Sequence, residues 1–336
     1  MNIQCIRIIV VACCIGYSVA AYAITFVPPI EEPDYGYCFI QNYVDVSSVH
    51  GGQDYYDHCR SYERHKGTDF RVSYAAMKEG VDVLAAADGK VLRTRDGMGD
   101  AYVQDGRYNV HGRECGNGVV IDHGGGWQTQ YCHLKKGTVR VASGDEVKAG
   151  SVLGEIGLSG KTGFVHVHFQ VTYDGKIVCP FSGKRLGRIT KGVIGELQGA
   201  EVKSSLWQND SCEILQYVPS QLLKVDYSTE LPQSAREILQ RSEAADTVQA
   251  GGVPLVFSAV TAMLQKGDVL ILSLKTRSGR LVAEKTIHIT SYTAQRFDYI
   301  GRKDSAMFAH TALEGSVELR RGNAQVFVHK SRVAVQ

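Results

Sequence analysis

From residue 63 to about 180 the chain alternates apolar and polar positions in short runs broken by glycine: GTDFRV, VDVLAAADGKVLRTRD, NGVVIDHG, WQTQYCHL, EVKAGSVLGEIG and VHVHFQVTY. Alternation with period two marks strands with one buried face, so this stretch predicts antiparallel sheet. The run NGVVIDHGGGWQTQYCHL (117–134) reads as a hairpin turning at Gly124-Gly125-Gly126. A polar bridge containing Gly and Lys follows, and then strand patterns resume: VPLVFSAVTAML, DVLILSLKTRSGRLVAEKTIHIT, AQRFDYIG and GSVELRRGNAQVFVHK. Hairpin turns are expected at Ser278-Gly279 and Gly322-Asn323. PQSAREILQRSEAAD (232–246) predicts one amphipathic helix with Pro232 near its start. Residues 24–62, with Pro28, Pro29, Pro33 and several tyrosines, read as irregular. The expected fold class is mainly β: a compact antiparallel domain at 63–182, a linker at 183–212 and a β-sandwich-like accessory domain at 213–336.

The N-terminus breaks this pattern. MNIQCIR carries Arg7, IIVVACCIGYSVA (8–20) is apolar, and Ala21-Tyr22-Ala23 places small residues around a larger one. That is the grammar of a signal peptide, expected over residues 1–23 with cleavage after Ala23 or, second, after Ala20. An uncleaved anchor is the alternative; a lipoprotein cut before Cys13 would leave almost no apolar region. The run is shorter than the roughly 20 residues of a spanning helix. No stable membrane span is expected after cleavage, and the destination is the periplasm or the exterior.

Cysteine usage agrees with export. Of the nine cysteines, Cys5, Cys13 and Cys14 fall in this segment, leaving Cys38, Cys59, Cys115, Cys132, Cys179 and Cys212. An even number suits disulfides. The hairpin brings Cys115 to Cys132, Cys38–Cys59 would tie the loop before His65, and Cys179–Cys212 remains. No C-x-x-C pair supports a thiolate metal site. Charged residues make up 21% of the chain, the net charge is +2, and no basic stripe stands out, so nucleic-acid binding has no electrostatic basis.

Candidate chemistry concentrates in RHKGTDF (64–70), QYCHL (130–134) and FVHVHFQV (164–171). His166 and His168 are two apart on a predicted strand and so share a face; the plain alternative is two surface histidines on an edge strand. His65 and Asp69 flank Gly67 and Thr68, which argues for a tight loop bringing both side chains to one point. Asp69 alone could equally be a loop carboxylate, and His133 alone would read as structural. A histidine and a carboxylate completed by one or two further imidazoles suit Zn2+ with a fourth position left for water, as in catalytic sites. Imidazoles not bound to metal can take a proton from water, stabilise an oxyanion and protonate a leaving amine.

The H-x-x-x-D at 65–69, the Y-x-H-L at 131–134 and the H-x-H at 166–168 occur in an order that resembles the zinc endopeptidases of the lysostaphin and LytM type, the M23 peptidases. The resemblance covers 63–173, about a third of the chain. It implies a compact antiparallel β peptidase domain of that type with a groove over the metal. It assigns His65, Asp69 and His168 as ligands of one Zn2+ per chain, and His133 and His166 as catalytic imidazoles. Family members cleave peptides within or between peptidoglycan strands, so peptidoglycan peptides are the implied substrate. One departure is Phe164-Val165 where the family commonly has Gly-Pro before the H-x-H; it predicts a bulkier groove wall and leaves substrate preference open.

The expectation is therefore an exported zinc metalloendopeptidase that cuts peptide bonds in peptidoglycan stems or cross-links. One alternative is a non-catalytic activator or scaffold of wall hydrolases, against which the presence of all five residues counts. Another is a zinc protease acting on peptides outside the wall. Residues 24–62 could cover the groove, and the accessory domain could dock wall or partner, or only stabilise.

Overall fold

The computed structural model describes residues 24–34, 36–48, 50–101, 110–186, 205–218, 220–241 and 245–336. The expected signal peptide and the stretch 187–204 of the expected linker lie outside these residues. The first domain contains β1 (Cys38–Asn42), β2 (Thr68–Val72), α1 (Tyr74–Glu79), β3 (Asp82–Leu84), β4 (Gly89–Arg95), β5 (Asn117–Gly124), β6 (Trp127–Leu134), β7 (Glu146–Val147), β8 (Val152–Glu155), β9 (His166–Tyr173) and β10 (Lys176–Val178). Its main sheet runs β1-β2-β9-β6-β5-β4-β7, with β10 paired to the end of β9, and β3 pairs with β8 in a small second sheet. Every one of these pairings is antiparallel.

Alternation explains which face of this sheet is buried. On β9 and just before it, Val165, Val167, Phe169 and Val171 enter the core, while His166, His168 and Gln170 point the other way. Phe70 of β2 and Tyr131 of β6 join the core beside them. Two residues from beyond the expected domain limits complete it. Phe26 and Trp207 form a parallel bridge, with Phe26 N donating to the Leu206 carbonyl and Gln208 N to that of Phe26, both at 2.8 Å. Trp207 packs its ring 5.7 Å from Phe169, directly behind the histidine-bearing strand.

The core draws in residues from both sides of the expected 63–182. Residues 24–62 are not all irregular, because Cys38–Asn42 is the edge strand β1 and Phe26, Ile30, Ile40 and Tyr43 are core residues. Likewise Leu206 and Trp207, expected in the linker, are buried in the first domain. The physical reason is the same in both cases: the sheet leaves an apolar surface that these flanking segments cover.

The second domain holds β11 (Gln221–Ser228), α2 (Ala235–Gln240), β12 (Thr247–Val248), β13 (Leu255–Leu264), β14 (Asp268–Thr276), β15 (Leu281–His288), β16 (Thr293–Arg302), β17 (Thr311–Arg321) and β18 (Ala324–Val335). One sheet is ordered β11-β13-β16 and the other β12-β18-β17-β14-β15. Leu255, Phe257, Leu270, Leu272, Leu274, Val317 and Leu319 fill the space between them, making a β-sandwich. Gly279 and Gly322, both at positive φ, turn the β14–β15 and β17–β18 hairpins. The helix expected over 232–246 is much shorter. Ser234 caps it by accepting from Glu237 N, and the chain leaves helical geometry at Arg241, whose guanidinium is drawn to Asp226 and Glu237. The domains touch through Phe39 of β1, which shares an apolar cluster with Leu223, Ile238, Val260 and Met263.

Cys115 and Cys132 are disulfide-bonded across the β5–β6 hairpin, with Cα atoms 4.8 Å apart. Cys38, Cys59, Cys179 and Cys212 are unpaired, so Cys38–Cys59 and Cys179–Cys212 are corrected. The partners lie in different surroundings. Cys38 and Cys212 pack against the main core, Cys59 is exposed on a loop, and Cys179 is buried with Val44 and Leu186.

Because Trp207 contacts Phe26, Phe70, Phe169 and Phe181 at ring distances of 5.5 to 6.4 Å, Trp207→Ala is expected to cost about 3–5 kcal/mol. Urea unfolding followed by Trp127 fluorescence measures this; a loss below about 1 kcal/mol would mean that the segment is not part of the core.

Candidate metal centre

Three neighbouring strands bring the candidate residues together. Asp69 on β2 lies opposite His168 on β9, and His168 lies opposite Cys132 on β6. Directly paired residues share a face, so Asp69, His168 and the end of β6 meet on the side away from the core. His65 approaches from the loop before β2. Gly67 matters here through space rather than backbone freedom: a Cβ on it would stand 2.6 Å from His168 Nε2. No larger residue lets the loop pass over that imidazole.

His133 reaches the same face by a different device. Simple alternation would send it into the core, since Cys132 points outward. Instead β6 carries a bulge: Asn117 pairs with Leu134 and Gly118 with Cys132, leaving His133 unpaired in the ladder. His133 adopts φ 67°, uncommon for a residue with a side chain. The bulge puts Tyr131 and Leu134 in the core and swings the imidazole outward. Its backbone is held on both sides, His133 N donating to the Cys115 carbonyl at 2.8 Å and Gly157 N to the His133 carbonyl at 2.9 Å.

The candidate ligand atoms converge tightly. Asp69 Oδ1 is 3.1 Å from His65 Nε2 and 2.9 Å from His168 Nδ1, and the two nitrogens are 3.2 Å apart. A tetrahedral zinc with bonds of about 2.0–2.1 Å separates its ligands by about 3.3–3.4 Å. The three atoms are within a few tenths of an ångström of that spacing, and His65, Asp69 and His168 are a group able to hold a metal ion. Donor chemistry agrees, since two imidazoles and a carboxylate suit zinc. Their outer atoms are also engaged: His65 Nδ1 donates to the Tyr43 carbonyl at 2.7 Å, and Asn42 Nδ2 donates to Asp69 Oδ2 at 2.8 Å. Such partners fix tautomer and orientation.

His133 and His166 stand beside this triangle with ring centroids 4.7 Å apart. His133 Nδ1 donates to the Ser159 carbonyl at 2.8 Å and His166 Nδ1 to that of Phe164 at 3.0 Å. Both therefore present Nε2 as the free nitrogen, and that of His166 is 3.4 Å from Asp69 Oδ1. Burial, reinforced by the adjacent imidazoles of His166 and His168, holds His133 well below the ordinary imidazole pKa. Burial would raise the Asp69 carboxyl, but the imidazoles of His65 and His166 outweigh it and keep the group well below the usual carboxylate range. The site thus pairs an ionised carboxylate with a neutral, proton-accepting imidazole.

Several neighbours were not singled out from the sequence. Asn42 lies in the segment read as irregular and carries no signal of its own. Thr162 was also missed and places Oγ1 3.2 Å from His166 Nδ1, whereas Phe164, noted as the departure before the H-x-H, stacks on His166 with centroids 4.4 Å apart. Tyr62 lies over His65 at 4.4 Å. The His133 bulge did leave a trace, because Tyr131 and Leu134 are three apart where strict alternation would put apolar residues two apart.

Residues 63–180 match the family described as Peptidase family M23. This stretch is an M23 peptidase domain. An uncharacterized metalloprotease of Haemophilus influenzae is 36% identical to the chain over 126 residues, 37% of this chain and 22% of that protein. Peptidoglycan DD-endopeptidase ShyA of Vibrio cholerae is 37% identical over 117 residues, 34% of this chain and 21% of that protein. The chain therefore spans about a fifth of the length of these curated relatives. Among solved structures, the catalytic domain of the antimicrobial peptidase lysostaphin from Staphylococcus simulans is similar at 20% identity and a TM-score of 0.26, over 49% of this chain and 87% of that chain.

If Asn42 orients the M23 domain's carboxylate, Asn42→Leu should weaken zinc binding by about 10- to 100-fold without unfolding the sheet. Competition with a chelating dye, alongside circular dichroism, measures both; unchanged affinity would contradict the orienting role.

Proposed function

We propose that the chain is an exported zinc metalloendopeptidase that hydrolyses peptide bonds in peptidoglycan stems or cross-links. The observation that carries this reading is the spacing of His65 Nε2, Asp69 Oδ1 and His168 Nδ1, with two further imidazoles beside them. The substrate class is supported by the similarity of the M23 domain to a peptidoglycan DD-endopeptidase. The candidate leader at residues 1–23 and the Cys115–Cys132 disulfide support export.

In this reading His65, Asp69 and His168 hold one zinc ion. When bound, zinc supplies Lewis acidity toward water and the scissile carbonyl. The remaining chemistry belongs to the chain. Asp69 brings the negative charge that matches a cation, and its second oxygen is committed to Asn42. His133, neutral and fixed by the Ser159 carbonyl, offers Nε2 as the acceptor for a proton lost by the attacking water. His166, fixed through Nδ1 and stacked by Phe164, aims Nε2 into the site, where in its protonated form it donates to the developing oxyanion and gives that proton to the departing amine. The phenyl ring of Phe164 forms the wall before His166, a bulkier boundary than glycine would give.

Two substitutions separate these roles. His168→Ala should abolish stoichiometric zinc binding. His133→Ala should keep zinc and lower kcat by about 10²–10⁴-fold. Metal analysis and mass spectrometry of fragments released from purified sacculi read both outcomes. A zinc-loaded His133→Ala protein that digests sacculi at the parent rate would contradict the mechanism.

A further inference from the structure

Arg71 follows Asp69 by two residues on β2 and lies opposite His166. It therefore shares the face of the metal-binding residues. It is 1% exposed, and a buried guanidinium is costly unless an anion compensates it. No ion pair among the described residues includes Arg71; Asp69, its neighbour on the strand, is turned to the imidazoles. Instead Arg71 Nη1 donates to Gln41 Oε1 at 2.7 Å and Nη2 to Gln295 Oε1 at 2.6 Å. Nε is buried with no partner. The rings of Phe164 and Tyr37 lie 4.9 and 5.7 Å from the guanidinium carbon. Beside it is a cavity of about 50 Å3 lined by Tyr37, Arg71, Phe164, Ser234 and Gln295.

The half-filled edge is the telling feature. Nε and Nη2 form the side of the guanidinium that takes both oxygens of a carboxylate in two parallel bonds. Here one amide oxygen, from the second domain, occupies Nη2 alone. We propose that Arg71 is a specificity-determining residue that binds a substrate carboxylate, with Gln295 as its neutral placeholder. The proposal rests on the reading of the chain as a peptidase of peptidoglycan peptides. A strand rises about 3.3 Å per residue, so an extended substrate seated over Asp69 and His168 would present to Arg71 a carboxylate roughly two residues from the scissile bond. That carboxylate displaces Gln295 Oε1, fills the Nε position and neutralises the buried charge.

The test uses the mature full-length chain and peptide dimers released from sacculi, either unmodified or with their carboxylates converted to amides by carbodiimide and ammonia. The parent protein should show a KM for the amidated dimers about 10- to 100-fold higher, with the difference in KM rather than kcat. In Arg71→Gln the ratio of the two KM values should fall to about one. Gln295→Glu, which places a carboxylate on the guanidinium from the other domain, should collapse the ratio in the same way even where Arg71→Gln does not fold. Equal KM values for the parent on both substrates, with cleavage intact, would overturn the Arg71 assignment and leave the peptidase reading standing. A Gln295→Glu protein that still discriminates would also overturn it. Cleavage of neither substrate by the zinc-loaded parent would overturn both readings.

Discussion

A buried carboxylate sets the terms for the centre of this protein. Asp69 is 2% exposed, in the middle of a sheet. An ionised group there costs several kcal/mol unless its oxygens are satisfied. One oxygen takes the Asn42 amide, and the other faces three imidazoles within 3.4 Å. Those imidazoles need direction in turn, which the Tyr43 and Phe164 carbonyls give to His65 and His166. The edge strand β1 is thus more than cover for the core. It carries Asn42 to the carboxylate and leads directly into Tyr43.

Four of the five candidate side chains stand on strands of the sheet, and His65 joins them from the loop before β2; aromatic packing backs the sheet from behind. Phe169, the neighbour of His168 on β9, packs against Tyr131, Phe26, Phe70 and Trp207. Histidines on one face and aromatics on the other make β9 at once a functional strand and the middle of the core. Segments from both flanks, at Phe26 and at Trp207, close that core. The second domain meets β1 and β2, where Gln41 Nε2 donates to the Ala294 carbonyl at 2.7 Å and Arg71 reaches Gln295. The sandwich is therefore part of the surroundings of the site as well as an appended module.

What could be read from the sequence follows from locality. The alternation of Val165, Val167 and Phe169 with His166 and His168 is a local pattern, and so are the glycine turns at Gly124, Gly279 and Gly322; the structure has strands and hairpins at these places. Long-range features left weaker marks. β1 is five residues in a proline- and tyrosine-rich stretch, and only its partner β2 makes it a strand. Trp207 stands among polar residues, and its burial depends on a distant phenylalanine. Disulfide pairing depends on which segments meet, so the hairpin pair could be argued locally and the other pairs could not. The extended helix failed because Arg241 takes an extended backbone at the helix end and its guanidinium reaches Asp226 on β11.

The account turns on the division of five side chains between metal and proton transfer. X-ray diffraction from zinc-loaded crystals at the zinc absorption edge measures that division most directly. It should place one zinc per chain about 2.0–2.1 Å from His65 Nε2, His168 Nδ1 and an Asp69 oxygen, with His133 and His166 outside the coordination shell. Zinc bound by His133, His166 or a cysteine sulfur in place of any of those three would contradict it.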